Sequence, residues 1–394
     1  MRFSGFDDEW TTFKLDEIIT LMQSGLSRQL SVEDIGVPVL RSNNIVNGQI
    51  DVSDIKFWYL IDTKGSRTEN YFLKKDDLLV NFINSLGKMG KSAVYNDELK
   101  RPTIFTTNLM RLNFKKDIDT YFIYYFFNTT IYKNYIDKIT KPAVNQASFT
   151  TKDFKKMELK IPTMHEQFKI SKFLKHIDKK IELLENKLEY YQDFKKYLMQ
   201  QIFTQKLRFD YDMIKLKDIC KINKGKQLNK DAMIENGKYY VLNGGKEPSG
   251  YTNEWNTSEN TITISEGGNS CGYVNFNTEK FWSGGHCYYL SDLHENVDDY
   301  YLYSYLKFKE EFIMRLRVGS GLPNIQKGDI ENIKIQIVSK DNQNKISNLL
   351  LSADKKINSI QIQKENFENF KKGLLQQMFV VQLILSLLQN KKHI

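Results

Sequence analysis

DFKKMELKIPTMHEQFKISKFLKHIDKKIELLENKLEYYQDFKKYLMQQIF, residues 153–203, returns as DIENIKIQIVSKDNQNKISNLLLSADKKINSIQIQKENFENFKKGLLQQMF, residues 329–379. At a fixed offset of 176 (329 − 153), 19 of the 51 aligned positions are identical and no gap is needed. Chance does not hold a register that long, so the chain is an internal duplication. The anchors are Gln167/Gln343, Lys169-Ile170-Ser171/Lys345-Ile346-Ser347, Asp178-Lys179-Lys180-Ile181/Asp354-Lys355-Lys356-Ile357, Phe194-Lys195-Lys196/Phe370-Lys371-Lys372 and Gln200-Gln201/Gln376-Gln377.

Each copy reads as a strand that enters a long helix. Met157 to Ile161 alternates apolar and polar residues, and Pro162 stops the ladder because it has no N–H to donate. Beyond it Ile170, Leu174, Ile177, Ile181, Leu184, Leu188, Tyr191, Leu198 and Ile202 fall at steps of three and four, with Lys195 in one slot. The second copy repeats the stripe with Ile346, Leu350, Ala353, Ile357, Ile360, Phe367, Leu374 and Met378, interrupted by Lys364 and Lys371. Such stripes are heptad seams, and the economical expectation is that the two helices bury them against each other. A whole domain connects them, so the loop does not fix their orientation; antiparallel is the expected arrangement. About 40 residues at roughly 1.5 Å each give a rod on the order of 60 Å.

The segments ahead of the helices are related more distantly. Phe13 to Ile18 matches Ile214 to Ile219 in pattern, and Val39-Leu40-Arg41-Ser42-Asn43-Asn44 matches Val241-Leu242-Asn243-Gly244-Gly245. Between them lie short strands rich in Tyr, Phe, Ile and Val, Gly and Asn turns, and one helix-like tract per copy, Tyr121 to Tyr135 and Tyr300 to Arg315. The expected organisation is α+β: a globule over 1–163, a helix over 164–208, a second globule over 209–339, a second helix over 340–380 and a divergent tail over 381–394.

Composition narrows the function. Among 394 residues, 57 Lys and Arg stand against 48 Asp and Glu, a formal charge of +9 that favours a polyanionic partner. A mean hydropathy of −0.50 with 13% aromatic residues excludes both a membrane protein and a disordered chain. Three cysteines, Cys220, Cys271 and Cys287, have no CxxC spacing and argue against a disulfide scaffold or a zinc ribbon. The opening MRFSGFDDEW carries no apolar h-region, and the expectation is a cytoplasmic chain.

Ile161-Pro162 followed by Glu166-Gln167 and Lys169-Ile170, the Asp-Lys-Lys-Ile tetrapeptide at 178 and 354, and the Phe-Lys-Lys to Gln-Gln stretch that closes each helix together resemble the specificity subunit of type I restriction-modification systems. The resemblance implies two target recognition domains in pseudo-two-fold tandem, over 1–163 and 209–339, each reading one half of a bipartite double-stranded DNA site. It implies that the helical repeats hold those domains apart and dock the modification (methyltransferase) subunits, two in number, and that a restriction subunit, a translocating nuclease, joins the assembly. The second copy departs from the pattern, with Val338 in place of Pro162 and Asn342 in place of Glu166.

A reader of DNA needs cations for phosphate and hydrogen-bonding side chains for base edges. Residues of these types gather on turns: Arg41, Ser42, Asn43 and Asn44; Asn84 and Ser85 with Lys88 and Lys91; Lys224, Lys226 and Gln227; Asn243 with Lys246; then Asn269, Ser270 and His286. Gly244, Gly245, Gly267 and Gly268 would let the backbone approach phosphate. Trp58, Trp255 and Trp282 can stack on a displaced base, or simply belong to core and rim. No catalytic residue, cofactor or metal site is expected. There is no Asn-Pro-Pro-aromatic tetrapeptide for amino-group methylation and no GxxxxGK[ST] phosphate loop. The acid-x-Lys fragments Glu98-Leu99-Lys100 and Glu158-Leu159-Lys160 are of the sort used by nucleases, but triplets like these arise by chance in so charged a chain. Two other readings stay open: a coiled-coil protein-interaction scaffold, and a stand-alone nuclease.

Overall fold

The computed structural model describes residues 2–380 apart from Asn145, Ser320 and Leu322; the tail over 381–394 lies outside the described residues. The chain divides into two compact units. Unit 1 is Met1–Leu183 with Lys364–Ile394, and unit 2 is Leu184–Gln363. Each therefore contains a mixed body and a segment of both long helices.

The body of unit 1 has a four-stranded antiparallel sheet in the order Ile19–Ser24, Leu109–Phe114, Leu78–Asn81, Ser92–Val94. Beside it Val37–Leu40 pairs parallel with Ile104–Phe105 and antiparallel with Lys56–Trp58. Unit 2 repeats the plan: Lys221–Lys224, Cys287–Ser291, Thr261–Ser265 and Val274–Asn277 form the four-stranded sheet. Tyr239–Leu242 pairs parallel with Trp282–Ser283 and antiparallel with Gly250–Thr252. In both units the strand before the long helix, Glu158–Ile161 or Lys334–Val338, pairs with the strand that opens the body, Thr11–Lys14 or Tyr211–Lys215. Bodies whose sequences have drifted apart thus keep one topology.

The hydrogen bonds make the equivalence residue by residue. Gly25 N–H donates to Leu109 O and Gly225 N–H to Cys287 O; Thr106 N–H donates to Leu40 O and Gly284 N–H to Leu242 O. Gly90 N–H donates to Asn81 O and Gly272 N–H to Ser265 O. Gly25 and Gly225 are required sterically, because a Cβ there would fall inside contact distance of the backbone oxygens of Phe105 and Gly284.

Each helix-like tract is broken in two. Unit 1 has Thr120–Phe126 and Thr130–Ile139, because Thr129 leaves the helix to cap the next one, its Oγ1 accepting from Tyr132 N–H at 3.3 Å. Unit 2 has Asp299–Phe308 and Glu310–Arg315.

The long helices run Met164–Phe203 and Lys340–Leu375, and the second ends in a π turn, Gln376–Val380. In unit 1, Ile170, Leu174 and Ile177 are buried in one core with Leu374, Leu375, Met378, Phe379 and the body's Phe122 and Phe126. In unit 2, Met199, Ile202 and Phe203 share a core with Ile346, Leu350, Tyr301 and Tyr305. Burying each such aliphatic side chain stabilises by about 1.5–3 kcal/mol. The start of one helix meets the end of the other within each unit, so the segments are antiparallel. Of the remaining stripe, Leu184, Ala353 and Ile360 are buried, while Ile181, Leu188, Tyr191, Leu198, Ile357 and Phe367 are half-buried.

The lysines that interrupt the stripe have partners. Lys371 Nζ lies 2.5 Å from Asp178 Oδ1, and Lys195 Nζ lies 2.6 Å from Asp354 Oδ1. Tyr125 OH donates to Asp178 Oδ2 at 2.7 Å, and Tyr300 OH donates to Asp354 Oδ2. Burial, with the carboxylate next to it, pushes both phenols far above their usual range. The repeated Asp and the repeated Phe-Lys-Lys thus serve one purpose, each Asp clamping the lysine from the other helix. Gln167 and Gln343 also match. Their amides donate to Pro162 O and Val338 O, and their Oε1 atoms accept from Asp119 N–H and Asp298 N–H, tying each helix start to its body. Glu166 is buried against Arg2 at 2.8 Å, an ion pair for which Asn342 provides no counterpart.

Candidate nucleic-acid interface

In unit 1 the strand Val37–Leu40 delivers Arg41 to the mouth of a cleft of about 260 Å³, lined also by Arg28, Ser42, Asn43, Thr107 and Asn108. Arg41 precedes the short 3-10 turn Ser42–Asn44, and its Nη2 donates to Asp54 O and Oδ2 at 2.6 and 2.7 Å. Asn43 is exposed, and its Oδ1 accepts from Lys88 Nζ at 3.1 Å. The turns around Arg41 and Lys88 are therefore one surface, with Ser85 exposed and Asn84 half-buried on the same loop. Lys91 is exposed just before the strand Ser92–Val94. Asn44 is committed to the fold: it is 3% exposed, its Oδ1 accepts from Arg41 N–H, and its Nδ2 donates to Asp51 O.

Sequence reasoning passed over Arg28, Thr107 and Asn108. Arg28 is anchored by Asp62 through two bonds, at 3.1 and 2.5 Å, and by Ser66 at 2.8 Å. The guanidinium holds the Asp62 carboxyl well below the usual carboxylate range. Only the structure brings these residues to the cleft, since they come from loops far apart in sequence.

In unit 2 the equivalent surface is built around Glu266, also unmarked in the sequence. Its Oε1 accepts from Lys224 Nζ at 2.5 Å and from Tyr288 OH at 3.1 Å, while His286 Nδ1 stands 3.5 Å from Oε2. Burial, then the carboxylate, pushes the Tyr288 phenol up to about 12. Asn243 Oδ1 accepts from His286 N–H at 3.2 Å, and Ser270 Oγ donates to Gly244 O at 2.7 Å. Lys246 Nζ lies 5.4 Å from the Tyr273 ring centre, while Lys226, Gln227 and Asn269 have exposed side chains on flanking loops. Gly244, with φ +84, packs against His286 O and is needed by the fold, whereas at Gly268 a Cβ would meet open space and only the φ of +74 favours glycine.

Trp58 and Trp282 are core, Trp282 donating to Lys226 O at 2.8 Å. Trp255 is on the rim with Lys280 Nζ 4.5 Å above its ring. Cys220, Cys271 and Cys287 are buried free thiols, and among the described residues no group of three His, Cys, Asp or Glu could hold a metal ion. The acid-x-Lys fragments are local features: Glu98 accepts from Asn96 N–H, and Glu158 lies in a strand opposite Lys14. Among the described residues no helix is long and apolar enough to cross a membrane.

The sequence model described as "Type I restriction modification DNA specificity domain" matches residues 7–190 and 209–367. A Methanocaldococcus jannaschii protein assigned as the type I restriction enzyme MjaX specificity subunit is 26% identical over 398 residues, covering 93% of this chain and 92% of its own. The type I restriction enzyme EcoKI specificity subunit of Escherichia coli K12 is 25% identical over 173 residues, 43% of this chain and 37% of its own. In fold, the chain is similar to the crystal structure of a type I restriction-modification S subunit from M. genitalium, with a TM-score of 0.70 at 18% identity over 96% of this chain and 97% of that one.

Proposed function

We propose, from the premise that this chain belongs to the type I restriction-modification DNA specificity family and is a non-catalytic specificity subunit with two tandem DNA specificity domains, that each unit reads one half of a bipartite site in double-stranded DNA. The observation that carries this is the doubled body: one backbone path, built twice, presents different side chains at equivalent turns. Two such surfaces suit two half-sites of different sequence. The antiparallel helices fix the interval between the halves and dock the modification subunits, one on each copy of the repeat, and a restriction subunit completes the complex. The chain works in the cytoplasm, alongside the DNA that its complex marks.

The test is single-molecule methylation sequencing of a host that expresses the chain with its modification subunit. Exchanging residues 1–152 for those of a relative is expected to change one half of the methylated sequence and leave the other. A change in both halves would overturn the division into two readers. Retention of the assembled complex on DNA should fall steeply with rising salt, as phosphate contacts require; indifference to salt would favour a protein-interaction scaffold.

A further inference from the structure

The two units solve one folding problem with two sets of side chains, so each is a control for the other. Phe82 N–H donates to Asn108 O at 3.2 Å, and Glu266 N–H donates to His286 O at 2.9 Å. With Gly25 and Gly225 equivalent, Ser24, Phe82 and Asn108 of unit 1 stand where unit 2 has Lys224, Glu266 and His286. The backbone path needs no charge here, since unit 1 completes it with a phenyl ring.

Glu266 is nevertheless 4% exposed, and its Oε2 makes no hydrogen bond, with His286 Nδ1 standing 3.5 Å away. Burying a carboxylate in this way costs more than an ion pair to a half-exposed lysine returns, and an apolar side chain would serve stability better. What the carboxylate provides is direction. The Lys224 side chain is 53% exposed, and one N–H of its ammonium is held by Oε1, leaving two of its three donors for another partner. A lysine on a free four-carbon stem is a mobile point charge suited to phosphate; tethered at its head, it becomes a fixed pair of donors.

We propose that Glu266 is a positioning residue that fixes Lys224 as the donor to the paired acceptors of a guanine, N7 and O6, in the half-site read by unit 2. Adenine would set its amino group against the ammonium, so the arrangement discriminates between the two purines. The proposal rests on the reading of unit 2 as a DNA reader.

The experiment uses the whole complex with its modification subunits and combines methylation sequencing with salt-dependent DNA binding. Lys224→Met and Glu266→Gln are each expected to relax selectivity at one guanine position of one half-site by about 5- to 150-fold, with all other positions unchanged. Lys224→Arg, which keeps paired donors, should retain guanine. A uniform loss of affinity across sequences, with the salt slope reduced by about one, would make Lys224 a phosphate contact and overturn the proposal. Unchanged selectivity at every position in Lys224→Met, a surface change that leaves the core intact, would also overturn it. If exchanging all of unit 2's body altered no half-site, the underlying reading would have failed instead.

Discussion

The lysines inside the helix stripe give a quantitative test of the packing. Lys195 and Asp354 meet with side chains 16% and 31% exposed, at 2.6 Å, so water screens the pair only in part. A fully exposed ion pair contributes about 0.2–1 kcal/mol, and a hydrogen bond to a charged group about 1.5–3 kcal/mol; a half-buried pair belongs between, at a coupling of about 1.5 kcal/mol. Lys195→Met, Asp354→Asn and their combination close a double-mutant cycle. Each single change should destabilise by about 1.5–2 kcal/mol, which for a unit of this size lowers the midpoint of thermal unfolding by roughly 3–8 °C. The double variant should cost clearly less than the sum of the two. Urea unfolding gives the energies, and amide exchange of the helix residues places the loss in unit 2. The same cycle on Lys371 and Asp178 should return a similar coupling in unit 1. Strict additivity, within about 0.3 kcal/mol, would refute the clamp and leave the lysines as solvated residues that happen to lie close.

Deleting one heptad from each long helix keeps the stripe in register and shortens each by about 10 Å, so the gap between half-sites should contract by about three base pairs. An unchanged gap in the methylated motif would sink the helices as its ruler. Gly25→Ala or Gly225→Ala drives a Cβ into a backbone carbonyl and should cost on the order of 2–3 kcal/mol in urea unfolding, whereas Gly268→Ala meets no neighbour and should cost only the strain of its φ of +74, about 1 kcal/mol. Burial pushes the thiols of Cys220 up to about 12 and Cys287 up to about 11, and Cys271 in the same direction. At pH 8 iodoacetamide should therefore label none of them in the native protein and all three in urea. Their folded pKa values are raised, so the stability they contribute is present below the ordinary thiol range, about 8.5, and is lost as pH climbs towards 11. Alkaline titration of unfolding should show that decline.

Two different pressures divide what the sequence showed from what it hid. The helices were legible because a seam must bury an apolar residue every three or four positions, and because Gln167 and Gln343 meet equivalent backbone groups, and Asp178 and Asp354 a lysine and a tyrosine each, in both copies. The candidate recognition surfaces were not. Asn43 meets Lys88, and Glu266 meets Lys224 and His286, only after strands far apart in the chain have paired. Asn44 looked like a reader by residue type and is a buried brace, while Glu266 carried no signal because a lone Glu beside two glycines reads as a turn. Helix orientation, by contrast, was within reach of the sequence. Because the repeats are identical at the charged seam positions, a parallel, in-register pairing would set Asp178 against Asp354 and Lys195 against Lys371. Like charges at a half-buried seam oppose that alignment. Only an antiparallel pairing lets one duplicated sequence meet itself with opposite charges, Asp178 on Lys371 and Asp354 on Lys195. The lysines that broke the apolar stripe therefore specify its direction.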